Sequence, residues 1–386
     1  MEPFVKTMMQ LIGSEVCRIP SQLPNKEILS DKLCDLLYRV SKKHDLAHLV
    51  GAALVNNNLL PEGEIGQKLE RQMFSAVYRY QRLNYEYMRL CDTLETAKIA
   101  YVPLKGSVIR QYYPESWMRT SCDIDVLVHE EDLDRAVEVL CGELNYRAEE
   151  ARNYHDISLF SPSGIHLELH FNILENTERI DGLLSRVWDY CVPAKGKQYE
   201  HRQTNEYLMF HCMAHMSYHF VKGGCGIRPF LDLYLLQNKM EYDEKTVRGF
   251  CRECGIERFY DSAILLSQVW FGDAKHCGLT KDMEEYLLSG GVYGSRENII
   301  TLAQEKKGGK KKYILHRIFM PYRELRLQYP VLARHKWLLP ICHLRRWGRM
   351  LFRGHLKKSV KELKTAKDAD VERGRAISMM FQELGF

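Results

Sequence analysis

Residues 123–128, with the sequence DIDVLV, constrain the fold more than any other segment of the chain. Apolar and β-branched residues alternate there with acidic ones, a pattern that predicts a half-buried β-strand. Since residues i and i+2 of a strand lie on the same face, Asp123 and Asp125 project together, while the apolar side chains between them face a core. Two adjacent carboxylates repel each other, and a folded protein tolerates them best when a cation neutralises both. The segment therefore predicts a strand that carries a site for Mg²⁺ or Mn²⁺.

A second alternating segment, residues 166–170 with the sequence HLELH, predicts another strand. Its two leucines share one face, and Glu168 shares the other face with His166 and His170. Glu168 is thus placed to be a third carboxylate beside the aspartate pair. There it could deprotonate an attacking hydroxyl or share a second metal ion. His170, on the same face, is a candidate residue for the wall of a substrate pocket beside these acids.

The residues before the aspartate strand predict a phosphate-binding turn. A short strand over residues 101–104 runs into Lys105, Gly106 and Ser107, and a helical turn follows. Gly106 permits close approach of the backbone to a phosphate, and the N–H groups at the start of the helix favour an anion. Lys105 could add positive charge and Ser107 a hydroxyl donor, and Arg119 could reach a triphosphate bound at this turn. The alternative for Lys105 and Arg119 is an ordinary surface charge.

The order of these elements is more specific than any one of them, because a single Asp-x-Asp strand is common. A helix predicted from Glu130 begins with acidic residues, which suit the helix dipole. Residues 157–160 and 165–173 then predict a hairpin around a Ser-Pro-Ser-Gly turn. A turn, a helix, an Asp-x-Asp strand, a helix and a hairpin with an inward glutamate predict an α+β fold with a small mixed sheet.

Helical patterns flank this core on both sides. Residues 66–99 predict one long helix, since they contain no proline and no interior glycine. The pattern is helical again from residue 205 to residue 270. We therefore predict four regions: a helical N-terminal domain (1–99), a catalytic core (100–200), a helical domain that closes the cleft (201–305) and a basic helical region (306–386).

Three histidines, His211, His215 and His219, recur on one face of the helix predicted from residue 205. They could bind a metal ion, but no acidic or cysteine ligand lies nearby in the sequence. We therefore favour a helix that packs near the active site with its histidines hydrogen-bonded. We also predict that His215, Arg228 and Asp232 line the acceptor or nucleotide pocket, because helices that follow a catalytic core often close the cleft.

Charge is distributed unevenly along the chain, whose net charge is +5. Residues 306–367 contain 19 Lys and Arg and two acidic residues, so this stretch is +17 and the remainder −12. Basic residues interleaved with Trp337 and Trp347 would suit RNA. They would also suit an anionic membrane surface. The third possibility is a solvated helical region, or a docking surface for the acidic remainder.

The chain lacks the features of an exported or membrane-spanning protein. Its first residues lack the basic and apolar order of a signal peptide. No apolar run approaches the roughly 20 residues of a transmembrane helix. The 12 cysteines are scattered, which favours reduced thiols over disulfides. We therefore expect a cytoplasmic protein without a transmembrane segment.

The combined pattern resembles a bacterial nucleotidyltransferase family of the DNA polymerase beta-like superfamily. The resemblance lies in roughly residues 100–175, and the helical flanks with Arg228 and Asp232 are similar to a less specific downstream pattern. The matching residues are Leu104-Lys105-Gly106, Arg119, the DIDVLV strand and Leu167-Glu168-Leu169-His170.

The resemblance implies a small mixed sheet with helices and two magnesium ions. Asp123 and Asp125 would be metal ligands, and Glu168 the third carboxylate. One departure concerns the turn, where Lys105 precedes Gly106 and the gap to Asp123 is somewhat long. The mode of triphosphate binding is therefore the part that the resemblance specifies least.

We hypothesise that the protein moves a nucleoside monophosphate from a nucleoside triphosphate such as ATP to an acceptor hydroxyl, with release of pyrophosphate. The acceptor would be a small molecule, a protein side chain or an RNA end. One alternative is a toxin-like enzyme that modifies tRNA or protein by the same chemistry. Another is a non-catalytic nucleotide-binding scaffold, although such a protein has no need to keep three mutually repelling acids.

Overall fold

The computed structural model describes residues 3–18, 29–149, 151–292, 294–306, 308–352 and 371–386. Helices surround one small mixed β-sheet, which confirms the predicted α+β fold class. Among these residues, no helix has both the length and the apolar character needed to cross a bilayer.

Five strands form the main sheet in the order β1-β2-β5-β4-β3. Only β2 and β5 are parallel neighbours, and the other three pairs are antiparallel. The aspartate strand has the predicted bounds, and the predicted hairpin is β4 and β5. The strands are β1 (Tyr101–Pro103), β2 (Asp123–Val128), β3 (Arg147–Ala148), β4 (Asp156–Phe160) and β5 (His166–His170). A separate ribbon pairs β6 (Cys191–Pro193) with β7 (His201–Gln203).

The N-terminal part is helical, as predicted. Its longest helix has 33 residues and buries one apolar stripe, whereas its opposite face is exposed. This helix ends at Thr96, and Lys98 then takes a left-handed conformation that turns the chain into β1. The helices are α1 (Pro3–Ile12), α2 (Asp31–Lys43), α3 (Ala47–Asn56) and α4 (Glu64–Thr96).

Helices also lie between and after the strands. Those within the sheet region are α5 (Gly106–Ile109), α6 (Leu133–Leu144) and α7 (Glu178–Leu184). Those that follow are α8 (Asn205–Val221), α9 (Arg228–Lys239), α10 (Glu244–Glu253), α11 (Glu257–Phe271), α12 (Gly278–Ser289) and α13 (Arg296–Lys306). The last are α14 (Lys310–Ile318), α15 (Tyr322–Gln328), α16 (Leu339–Phe352) and α17 (Val371–Leu384).

The sheet separates an apolar face from a polar one. On the apolar face, Ile124 and Val126 of β2 and Leu167 and Leu169 of β5 pack against α4 and α6. The carboxylates of β2 and β5 lie on the other face, as the alternation predicts. Burial of the leucine and valine side chains therefore fixes the direction in which the acidic side chains point.

One hydrophobic core links all four of the predicted regions. It contains residues from α1, from β1 and β2, from α8 to α12 and from α17. Because α4 packs on the sheet, the boundary proposed at 99/100 falls between elements that share a core. Within the basic region, Leu325, Tyr329, Leu332 and Cys342 form a small cluster of their own. The part of that region from residue 353 to residue 367 lies outside the described residues.

A buried ion pair ties the segment before β2 to α9. Arg119 Nε lies 2.9 Å from Asp232 Oδ1 and 3.1 Å from Oδ2. The Tyr113 hydroxyl donates a hydrogen bond of 2.6 Å to the same carboxylate. Both charged side chains are nearly buried, with 11% and 8% of their surface exposed. Loss of either partner would leave the other charge uncompensated in a poorly solvated place.

We expect Asp232→Ala to lower the free energy of unfolding by about 3–5 kcal/mol, because Arg119 loses its counter-charge. Urea unfolding followed by circular dichroism measures this change. Asp282→Ala, which removes an exposed acid from α12, is the matched control and should change stability by less than about 0.5 kcal/mol. Equal stabilities for the two variants would show that the ion pair does not hold α9 in place.

Candidate active site

The parallel pairing of β2 with β5 brings three carboxylates together. Asp125 is the direct register partner of Glu168, and Asp123 that of His166. Two overlapping groups have potential ligand atoms within 4.8 Å of one another: Asp123, His166 and Glu168, and Asp125, Glu168 and His170. The structure thus places Glu168 beside the aspartate pair.

The two aspartates differ in their ionisation. Burial, with repulsion from Asp125 and Glu168, raises the pKa of Asp123 to about 6. Burial also disfavours ionisation of Asp125, but the charge of Lys105 and a hydrogen bond from His170 outweigh it and hold the pKa of Asp125 below its usual range. Without a metal ion, the site therefore contains one firmly ionised carboxylate and one that is reluctant to ionise.

His170 lies between two of the acids. Its Nε2 donates to Asp125 Oδ1 at 3.1 Å and lies 3.5 Å from Glu168 Oε2. Burial favours the neutral ring, but hydrogen bonds to these two carboxylates raise the pKa of His170 overall. Positive charge on this ring offsets part of the repulsion between the two carboxylates, which is the reason for the raised pKa of His170.

Lys105 approaches the carboxylates from the turn after β1. Its Nζ lies 4.0 Å from Asp125 Oδ1. Its backbone has φ +40° and ψ −108°, a conformation in which glycine is the usual residue. A non-glycine residue held there stores strain of order ~1–3 kcal/mol, and such strain is found most often at functional sites. The turn thus keeps a lysine where glycine would be easier to accommodate.

These groups open into a cleft of about 670 Å³. Gly106, Arg119 and Arg228 also line it, whereas Ser107, in the first turn of α5, is not among the lining residues. Asp232, whose carboxylate accepts hydrogen bonds from Arg119 and Tyr113, lines a smaller adjoining cavity and not this cleft. Of the predicted nucleotide-binding residues, the structure therefore brings Lys105, Gly106 and Arg119 to the cleft.

Arg228 connects the cleft to the N-terminal helices. It donates to Asp45 Oδ2 at 3.0 Å and to the Thr120 carbonyl oxygen at 2.7 Å. Asp45 and Arg79 both line the cleft and come from the N-terminal part of the chain. Neither Asp45 nor Arg79 belongs to a sequence motif, so neither was predicted to lie at the site. The side of the cleft they form depends on tertiary packing alone.

The histidines of α8 face the cleft as a row. His211, His215 and His219 all line it, in keeping with the predicted helix face. His211 Nδ1 hydrogen-bonds the amide of Gln203, and His215 Nδ1 donates to Glu175 Oε1 at 2.6 Å. Burial, with the charge of Lys105, lowers the pKa of both His211 and His215. They are therefore neutral, hydrogen-bonded side chains.

Glu175 is the acidic partner that the local sequence did not reveal. It follows β5 by five positions and is 8% exposed. Its carboxylate orients His215, so that the other ring nitrogen of this neutral imidazole is a hydrogen-bond acceptor. No spacing pattern links Glu175 to α8, because the contact joins residues 40 positions apart.

The donor set fits a hard divalent cation. Carboxylate oxygens from two adjacent strands are the ligands that Mg²⁺ and Mn²⁺ prefer. A divalent cation bound there would offset the burial and the repulsion from Asp125 and Glu168 that raise the pKa of Asp123. Among the described residues, both groups with metal-ligand geometry lie at this point of the cleft.

A sequence model of a protein family matches residues 30–272, more than half of the chain. The family is described as an uncharacterised nucleotidyltransferase. The matched range contains β2, β5, α8 and α9, and therefore the elements that supply the acids, the histidines and Arg228. No curated protein and no solved structure matches the chain.

We expect the affinity for Mn²⁺ to depend on pH through Asp123. Its pKa is raised to about 6, so below that pH a proton competes with the cation. Affinity should rise by about tenfold per pH unit up to roughly pH 6, with release of about one proton, and level off above it. Calorimetric titration in buffers of different ionisation enthalpy measures both quantities. An affinity that is flat from about pH 5 to pH 7 would contradict this.

Proposed function

The chain belongs to the uncharacterised nucleotidyltransferase family, and from this membership and the site we propose a metal-dependent transfer of a nucleoside monophosphate to an acceptor hydroxyl. The donor is a nucleoside triphosphate, and pyrophosphate is released. The observation that carries the proposal is the meeting of Asp123, Asp125 and Glu168 at the wall of a cleft.

In the proposed reaction, the acceptor oxygen attacks the α-phosphorus of the triphosphate. The bond between that phosphorus and the oxygen bridging to the β-phosphate breaks, and pyrophosphate leaves with the electron pair. The hydroxyl proton passes to a carboxylate oxygen of Glu168. Bound by the carboxylates, Mg²⁺ or Mn²⁺ would neutralise charge on the attacking and leaving oxygens.

Positive side chains on the cleft wall support triphosphate binding. Lys105 keeps its charge, because the nearby acids outweigh the effect of burial and raise its pKa. Gly106, the residue after Lys105, also lines the cleft. The Asp232 pair holds Arg119 in one orientation, and the Asp45 pair does the same for Arg228. Because these cationic side chains are already held in place, they stabilise phosphate charge with little further loss of conformational entropy.

His215 and its hydrogen-bond partner Glu175 form part of the cleft wall, and we assign this part of the wall to the acceptor. A neutral histidine with a free acceptor nitrogen binds a hydroxyl group. The cleft admits a small molecule, a protein side chain or the end of an RNA chain. The exposed Arg345 and Arg349 of the basic region would add contacts to a larger anionic acceptor such as RNA.

The proposal is tested with α-labelled nucleoside triphosphates, Mg²⁺ or Mn²⁺, and separate pools of small molecules, protein and RNA. We expect transfer of label to at least one pool. Asp125→Asn should reduce the rate by about a hundredfold or more, because the metal site loses a ligand charge. Asp134→Asn, which alters an exposed acid on α6, should leave the rate unchanged.

Transfer that persists in Asp125→Asn at the parental rate would refute the proposed site. Binding of triphosphate without transfer to any pool would favour the non-catalytic scaffold. Transfer confined to the tRNA fraction would favour the toxin-like modifier. Charge-removing changes at Arg345 and Arg349 then test the basic region, since loss of phosphate contacts lowers RNA affinity and its salt dependence.

A further inference from the structure

A second cavity of about 190 Å³ adjoins the cleft. We name it the His44 chamber. Lys105, Arg119 and Arg228 line both spaces, so these cations form part of the common wall, together with His215, His219 and Val292. Beyond them the surface of the chamber is mainly apolar, with Ile109, Met216 and Leu233 on its walls. Polar groups are added by His44, His215, His219 and Asp232. The chamber is smaller than the roughly 300–1,000 Å³ of pockets that hold a whole drug-sized ligand. It therefore suits one ring of a ligand whose remainder lies in the cleft.

One residue that lines the chamber, His44, has ring nitrogens without a hydrogen-bond partner among the described residues. His44 lies at the end of α2 and is fully buried. Buried polar side chains nearly always have such a partner, so an exception calls for a functional explanation. The nearby His48 follows the rule, because its Nε2 donates to the Met118 carbonyl oxygen at 2.9 Å.

His44 is a neutral ring. Burial, with the adjacent charge of Lys43, lowers its pKa to about 4. A neutral imidazole has one N–H donor and one acceptor nitrogen. Such a ring can form hydrogen bonds with the edge of an uncharged heterocycle, which has donors and acceptors of its own. It would not attract a phosphate in the way that Lys105 or Arg228 does.

Two glycine-containing loops close the chamber near His44. Gly226 has φ +74°, and a Cβ there would lie 3.1 Å from the Cα of Val292 and 3.6 Å from His44 Nδ1. A Cβ on Gly294 would lie 2.4 Å from the carbonyl carbon of Gly223. The backbones therefore approach so closely that no side chain fits between them. This packing makes a fixed wall at the histidine.

We propose that the His44 chamber receives the base of the nucleoside triphosphate and that His44 hydrogen-bonds the edge of the base. The inference rests on the proposed function and names the part of its substrate that gives selectivity. Arg228 supports it, since its buried Nε also has no partner among the described residues and its side chain lines both spaces. Lys105, Arg119 and Arg228 lie between the cleft and the chamber, so they would neutralise a polyphosphate attached to a base in the chamber.

The test measures binding in the absence of acceptor, with Mn²⁺, for the four common nucleoside triphosphates and for inorganic tripolyphosphate. We expect the parent protein to bind one base most tightly and tripolyphosphate more weakly. His44→Leu should weaken binding of the preferred nucleotide by about tenfold and leave tripolyphosphate affinity unchanged. His44→Gln, which keeps a donor and an acceptor, should restore part of the lost preference.

Thermal unfolding separates this role from a structural one. His44→Leu replaces an unpartnered buried polar ring with an apolar side chain, so the Tm should stay the same or rise. His48→Leu is the matched control. It breaks the bond to Met118, so it should lower the Tm while base preference persists.

Equal affinity of the parent for all four nucleotides and tripolyphosphate would overturn the inference. Equal weakening of nucleotides and tripolyphosphate by His44→Leu would also overturn it, as would weakened acceptor binding with base preference intact. These outcomes are independent of turnover. Base-dependent binding without transfer of label would refute the proposed function while the chamber assignment stands.

Discussion

The parallel pairing of β2 with β5 holds three carboxylates closer together than they would lie if free. Backbone hydrogen bonds and apolar packing under the sheet fix Asp125 opposite Glu168, so the acids cannot move apart. The fold limits the resulting repulsion by leaving Asp123 easily protonated and by placing Lys105 and His170 beside Asp125. A divalent cation bound by these carboxylates would relieve their repulsion. The packing that stabilises the sheet therefore also creates the affinity of the site for the cation.

The other walls of the cleft come from distant parts of the chain, and ion pairs hold them in place. Arg119 joins the approach to β2 with α9 through Asp232, and Arg228 joins α9 with the N-terminal helices through Asp45. The same two arginines separate the cleft from the His44 chamber. The arginines that form these structural ion pairs are therefore also the ones that we propose to bind the triphosphate. A change that loosens α9 should affect stability and nucleotide binding together.

Local patterns in the sequence predicted the elements that carry the acids. Alternation identified β2, β5 and the inward direction of Glu168, and the i, i+4 spacing identified the histidine face of α8. These patterns are predictive because the side-chain repeats of a strand and of a helix are set within a few consecutive residues. Glu175, Asp45 and His44 escaped prediction because each meets its neighbours only through tertiary packing. The backbone strain at Lys105 could not be predicted either, because lysine does not favour a φ of +40° and only the folded structure holds it there.

The role of the paired strands is tested most directly by a crystal structure with Mn²⁺ and a triphosphate whose α–β bridging oxygen has been replaced by a non-cleavable group. We expect an anomalous peak about 2.1 Å from carboxylate oxygens of Asp123 and Asp125, with the triphosphate beside Lys105. Manganese at another place, or a triphosphate bound outside the cleft, would contradict the claim that these paired strands form a nucleotidyl-transfer site.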